Sequence, residues 1–118
     1  MAITVDYHAN PFLIALRAGA ADDGGTWDPP AKCQVIDAWL VMTLAGTGTH
    51  TAQLTDGETS PNAITAALDI SAVADKAIAS LANLDDGHWD LIPGTDVLTS
   101  VLANGAKADI FVLLVWTD

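Results

Sequence analysis

The closing stretch of the chain constrains the fold more than any other. Two apolar runs, Asp96–Leu102 and Lys107–Thr117, are joined across Asn104-Gly105. Asn-Gly suits the positive-φ positions of a tight two-residue turn, so the pair reads as a β-hairpin. The last run, Ala108 to Trp116, is too short to cross a membrane as a helix. It is rich in β-branched and aromatic residues, which makes it a strand. Its even positions, Ala108, Ile110, Val112, Leu114 and Trp116, are all apolar. Its odd positions, Asp109, Phe111, Leu113, Val115 and Thr117, are apolar in the middle and polar at both ends. The even face can fill a core. The odd face is too apolar to lie in water along its whole length, so this strand is expected to be covered on both sides, by its own chain or by a neighbouring one.

Period-2 patterning continues upstream. Residues 2–6 suit a short strand that Asn10-Pro11 breaks, and Phe12–Ala18 is an apolar run that fits a strand or a helical turn. Asp22–Pro30 carries so much Gly and Pro that a loop without regular structure is expected there. Cys33–Ala45 is the first long strand. Ile36, Ala38, Leu40, Met42 and Leu44 make one apolar face, and Val35, Asp37, Trp39, Val41 and Thr43 make a mixed one. Thr49–Leu54 and Ile64–Ile70 alternate in the same way. Residues 70–84 fit both a helix and a strand; the neighbouring pattern favours one helical turn at Ser71–Asp75 and a strand from Lys76 to Leu84. Asp85-Asp86-Gly87 is a turn, and His88–Ile92 a short extended segment. Short strands with a turn signal about every ten residues point to an all-β, antiparallel sandwich or barrel. The expected division is an N-terminal arm and loop over residues 1–30 and a β-sandwich over 31–118.

Charge and composition narrow the class of function. Four basic residues face fifteen acidic ones, a formal net charge of −11, while 51% of the residues are hydrophobic. Acidic disordered segments are poor in apolar residues, so a folded domain is expected. Such a domain repels phosphate backbones, which argues against nucleic acid as a partner. It can dock on basic or apolar protein surfaces. The single cysteine, Cys33, permits no internal disulfide, and the first residues lack the basic and apolar blocks of a signal peptide. No apolar run reaches membrane-spanning length, and no membrane partner is expected.

Catalytic and metal chemistry find little purchase. His8, His50 and His88 are dispersed, without the short spacings of a zinc site, and are expected on surfaces or strands. Asp22-Asp23-Gly24-Gly25, Asp56-Gly57-Glu58 and Asp85-Asp86-Gly87 place hard oxygen ligands beside glycine, as calcium loops do. Asp-Gly is also ordinary turn chemistry, and that reading is preferred. Cys33 opens an apolar strand, with Lys32 directed to the other face, and reads as a small buried hydrophobe. No Gly-x-Ser-x-Gly elbow and no phosphate loop occurs. The expectation is therefore a protein that is not an enzyme and holds no cofactor and no metal. Trp39 and Trp116 fall within strands, Trp27 and Trp89 in loops. Packing is the first reading for the loop pair, an interface the second, and a sugar platform the third.

The order of Val35-Ile36-Asp37-Ala38-Trp39, then Leu54-Thr55-Asp56-Gly57, then Ile64-Thr65 leading to Asp69-Ile70, then Ile92-Pro93-Gly94-Thr95-Asp96, resembles the decoration, or cement, proteins of tailed-bacteriophage heads. The likeness spans residues 33–117 and consists of turn chemistry and strand spacing. It implies a jelly-roll type β-sandwich and a structural subunit on the outer capsid surface of a virion. Such a subunit self-associates as a dimer or trimer, binds the shell of the major capsid protein and carries no catalytic residues. On that reading, Trp39, Val41, Phe111, Leu113 and Val115 are the expected oligomer interface. Ile3, Val5, Tyr7, Phe12 and Leu13 are the expected contacts to the capsid. The alternative is a carbohydrate- or small-ligand-binding sandwich with Trp27 and Trp89 as its platform.

Overall fold

The computed structural model describes residues 11–17, 24–44, 50–58, 62–71, 73, 76–81, 90–102 and 107–117. Among them every regular element is a strand: β1 (Phe12–Leu16), β2 (Thr26–Trp27), β3 (Cys33–Leu44), β4 (Thr51–Thr55), β5 (Leu68–Asp69), β6 (Ile78–Ser80), β7 (Asp90–Leu91), β8 (Leu98–Leu102) and β9 (Lys107–Trp116). They form two antiparallel sheets. The five-stranded sheet runs β1-β9-β3-β6, with β7 pairing the start of β3. The four-stranded sheet runs β2-β8-β4-β5. The sheets pack as a sandwich, and the all-β expectation holds.

The layers follow from alternation. Ala108, Ile110, Val112 and Leu114 of β9 are buried, as are Ala38, Leu40 and Met42 of β3. From the other sheet come Ala52 and Leu54 of β4 and Leu98 and Leu102 of β8. Burying such side chains stabilises by about 1.5–3 kcal/mol each, before the entropy of ordering them is set against it.

Two expectations about strand partners are corrected. The runs on either side of Asn104-Gly105 are not a hairpin. β8 pairs with β2 and β4, whereas β9 pairs with β1 and β3 in the opposite sheet. The reason is partner length. β3 offers β9 a ladder from Cys33↔Trp116 to Leu44↔Lys107, whereas β8 is five residues long. The turn itself lies outside the described residues.

The second correction concerns Asp22–Pro30, where no regular element is expected. Thr26 and Trp27 pair with Thr99 and Leu98 of β8. The glycines there serve close approach. A Cβ on Gly24 would come within 1.9 Å of the Ser100 carbonyl oxygen. The Gly25 N–H donates to Ser100 Oγ at 2.7 Å, and the Ser100 N–H donates to the Gly25 carbonyl at 2.9 Å. Together with β1, this segment gives strands to both sheets, so residues 12–16 and 26–27 belong to the sandwich.

β3 does not keep one phase. Its register against β9 slips between Val35 and Asp37. Cys33 and Val35 face inward before the slip, and Ala38, Leu40 and Met42 after it. Ile36 is the extra residue and is 39% exposed, although its even position places it on the expected core face. A β-bulge has this effect, because one additional residue reverses the alternation beyond it. The Asp37 carboxylate accepts the Ala38 N–H at 2.8 Å, just past the irregularity. The segment Ile64–Ile70 departs as well. Ile64 and Ile70 are buried, but Ala66 is exposed and only Leu68–Asp69 forms a strand. Of the helical turn expected at Ser71–Asp75, the described part is a turn closed by the Val73 N–H on the Ile70 carbonyl at 3.1 Å. The strand expected from Lys76 begins at Ile78.

The bulge sets a test. Leu40→Ala is expected to cost about 2–5 kcal/mol in urea unfolding, as a buried leucine does. Ile36→Ala is expected to cost less than about 1 kcal/mol, as an exposed side chain does. Equal losses would contradict the reversal of phase.

Candidate functional site

Among the described residues, the outer face of the five-stranded sheet is a broad surface feature. Strand register places its residues in rows. Ala15, Phe111, Trp39 and Ser80 form one row across β1, β9, β3 and β6. Leu13, Leu113 and Asp37 form the next, and Asp109, Val41 and Ile78 flank the first row on its other side. Val115 extends β9 beyond them, opposite Gln34. Leu13 is 52% exposed and Ile78 72%, while Trp39, Val41, Phe111, Leu113 and Val115 are half-buried. The Trp39 and Phe111 rings stack with centroids 6.1 Å apart and planes 17° from parallel. Four strands by four rows is about 14 Å by 20 Å of mostly apolar surface at ordinary sheet spacings. That approaches the few hundred square ångströms beyond which contiguous apolar surface is uncommon on a monomer.

The opposite outer face differs in kind. Across β2, β8 and β4 it carries Thr26, Thr99, Thr51, Gln53 and Val101. Hydroxyls and an amide dominate it, with Val101 the one exposed large aliphatic among the described residues of these strands. Water can solvate that face, whereas it gains little from the stacked rings of the other. All five residues of the expected oligomer interface thus share one face. Of the expected capsid contacts, Leu13 joins them there. Phe12 is turned inward, its ring stacked on Trp116 at 4.1 Å and 6.0 Å from the Trp27 ring. Ile3, Val5 and Tyr7 lie outside the described residues.

The Trp27 ring is engaged in that same cluster, 6.5 Å from Trp116, at the end of the sandwich where β1, β2 and β9 meet. Its role in the chain is packing. Trp89 lies outside the described residues.

A second cluster is acidic. Ligand oxygens of Asp56, Glu58 and Asp96 lie within 4.8 Å of one another. Asp56 and Asp96 are buried and already committed to the backbone. Asp56 Oδ1 accepts the N–H groups of Asn62 at 2.9 Å and of Glu58 at 3.3 Å, and Asp56 Oδ2 accepts Asn62 Nδ2 at 2.9 Å. Asp96 Oδ2 accepts the Ile92 N–H at 2.8 Å. Gly57 between them has φ +68°, and a Cβ there would meet the Val97 carbonyl at 2.6 Å. These are the bonds of turn chemistry, the reading preferred for Asp56-Gly57-Glu58. Proximity of Asp96 to that turn is a tertiary event with no local sequence signal. The other two Asp-Gly stretches lie wholly or in part outside the described residues.

Burial pushes the Asp56 carboxyl up, but its bonds from Asn62 and Glu58 outweigh that and hold it below the usual carboxylate range. Glu58 moves the other way, raised by its hydrogen bond with Asp56 and by the charges of Asp56 and Asp96. Cys33 is buried, and burial pushes its thiol up to about 11. At neutral pH it is therefore the un-ionised, unreactive form. His50, expected on a surface or strand, is buried just before β4. Its backbone N–H donates to Ser71 Oγ at 3.0 Å, and the Ser71 N–H donates to Asp69 Oδ1 at 2.9 Å. His8 and His88 lie outside the described residues.

No protein-family model matches the sequence, and no curated protein is similar to it. Among solved structures, the fold is similar to a chain in the acidic stable capsid structure of Helicobacter pylori bacteriophage KHP30. The TM-score is 0.54 at 18% sequence identity, over 93% of this chain and 92% of that one. The two chains are thus of nearly equal length and share a similar fold over most of it.

Two outcomes follow for the site. The raised Glu58 pKa means that its ionised form is disfavoured in the fold. This penalty is fully present above the folded pKa and is relieved as pH falls through it, above the ordinary glutamate value. Glu58→Gln is expected to raise the thermal midpoint at pH 7, with the gain shrinking in acid and in high salt. In addition, Cys33 is expected to resist a thiol reagent at pH 8 in the native protein and to react fully once unfolded. Rapid native labelling would contradict its burial.

Proposed function

We propose that this chain is a structural subunit of a phage capsid, a decoration or cement protein that self-associates and binds the outside of the shell built by the major capsid protein. The observation that carries the reading is the apolar outer face of the five-stranded sheet on a chain of net charge −11. Mutual repulsion keeps such a chain soluble and leaves the mostly apolar face as the place where protein can meet protein. The likeness to a phage-capsid chain of nearly equal length supports a capsid as the setting. Strand order supports the jelly-roll reading too. With the two-residue β7 set aside, successive strands alternate between the sheets except β4 and β5, which pair with each other, and the first strand lies beside the last.

In this reading Trp39, Val41, Phe111, Leu113 and Val115 meet a second copy. Leu13, with Ile3, Val5 and Tyr7, is left for the shell. Phe12 is spent within the chain. Stacked aromatics at the centre of a patch with aliphatic neighbours are the arrangement of an interface hot spot, where one truncation costs about 2 kcal/mol or more. Repetition around a capsid multiplies modest contacts through avidity.

The test is solution mass by light scattering over a range of concentrations. The wild-type chain is expected to be a dimer or trimer. Phe111→Asp and Leu113→Asp, checked for the wild-type circular dichroism spectrum, are expected to be monomers. A wild-type monomer at every concentration, or folded variants of unchanged mass, would refute the interface.

A further inference from the structure

We propose that β1 of one copy pairs antiparallel with β1 of a second copy about a two-fold axis through Ile14. This names the contact geometry of a chain read above as self-associating, and it rests on that reading. The motivating contrast lies among the sheet edges. At the far edge of the five-stranded sheet β3 is covered by two separate short pieces, β6 of three residues and β7 of two. The edges of the four-stranded sheet, β2 and β5, are two residues each. Short and broken edges of this kind are how proteins avoid pairing with other chains.

β1 is different. It is a five-residue edge strand, Phe12-Leu13-Ile14-Ala15-Leu16, without charge, proline or glycine. The edge opposite β9 is open among the described residues. Pro11 precedes it and Arg17 follows it, so the uncharged run is bounded at both ends. A two-fold axis through Ile14 pairs all five residues. Ile14 meets its own copy, Leu13 meets Ala15, and Phe12 meets Leu16. No like charges are opposed, since each Arg17 falls opposite the other copy's Pro11. A two-fold contact of this kind is self-complementary and closed, and does not grow into a fibre.

The geometry joins two five-stranded sheets into one continuous sheet. The outward residues Leu13 and Ala15 of both copies then bridge the two apolar faces, so the patch built on Trp39 and Phe111 doubles in extent. In the joined sheet Phe111 and Leu113 lie one strand in from the seam, opposite Ala15 and Leu13, so an aspartate at either position acts on the same contact.

Register makes the test specific. Residues directly opposite in an antiparallel pair have Cα atoms about 4.5–5.5 Å apart, within disulfide range. Leu13 and Ala15 are both exposed, so replacement is tolerated, and the buried Cys33 does not compete. A mixture of Leu13→Cys chains and Ala15→Cys chains, oxidised together, is expected to give a covalent dimer several-fold in excess of either variant alone. Absence of that excess overturns the proposal. If the wild-type mass is oligomeric and Phe111→Asp dissociates it, while the mixed cysteines do not join, self-association stands and the β1 edge contact is refuted. If the wild-type chain is a monomer throughout, both fail together.

Discussion

The ladder between β3 and β9 runs from Cys33↔Trp116 to Leu44↔Lys107, and the slip at Val35/Asp37 decides which side chains of β3 face the core. The other elements of the five-stranded sheet are placed by this pair. β1 adds to the free edge of β9, and β6 and β7 add to that of β3. Because β9 lies between two strands, its inward residues Ile110, Val112 and Leu114 reach full burial. A central position is where a strand apolar on both faces is most stable. In a strand without the bulge, an inward Cys33 and Val35 would turn Ala38, Leu40 and Met42 outward, so the single irregularity lets both groups reach the core.

The two outer faces express a division of labour. Threonines and a glutamine make the four-stranded sheet's exterior compatible with water. The five-stranded sheet instead presents stacked Trp39 and Phe111 with Leu13, Val41 and Ile78 around them. Exposed apolar rows of this extent are a liability for a protein that stays single, because they favour association. In a chain with fifteen acidic residues and four basic ones, long-range repulsion opposes indiscriminate clumping. Together they favour contacts that are apolar, local and specific in geometry.

Much of this was legible in the pattern. Alternation along Lys107–Trp116 identified both the core face and the unusual second face, and the five residues singled out there and on β3 do share one surface. What sequence could not reveal was set by distant partners. Asn104-Gly105 carries the local chemistry of a hairpin, yet β9 pairs with β3 because the longer ladder lies there. Gly24-Gly25 reads as a flexible loop, yet its lack of side chains lets β2 reach Ser100. Ile36 sits at an even position like Ala38, and no local signal announces the bulge between them. Phe12 and Leu13 are adjacent apolar residues with opposite fates, one in the aromatic cluster and one exposed, because a strand sends neighbours to opposite faces.

The aromatic cluster of Phe12, Trp27 and Trp116 carries a consequence in time. Leu114 of β9 pairs with Phe12 of β1, 102 positions earlier in the chain. On a ribosome the first strand therefore waits for β9 until the end of the described chain has emerged, and the Phe12 ring waits as long for Trp116. Contacts of such sequence separation make folding slow, since a long loop must close before any of them forms. Through that interval the uncharged β1 segment is exposed to any other strand that passes. The same five residues thus depend on the most distant partner in the chain and also form an uncharged edge of the finished sheet.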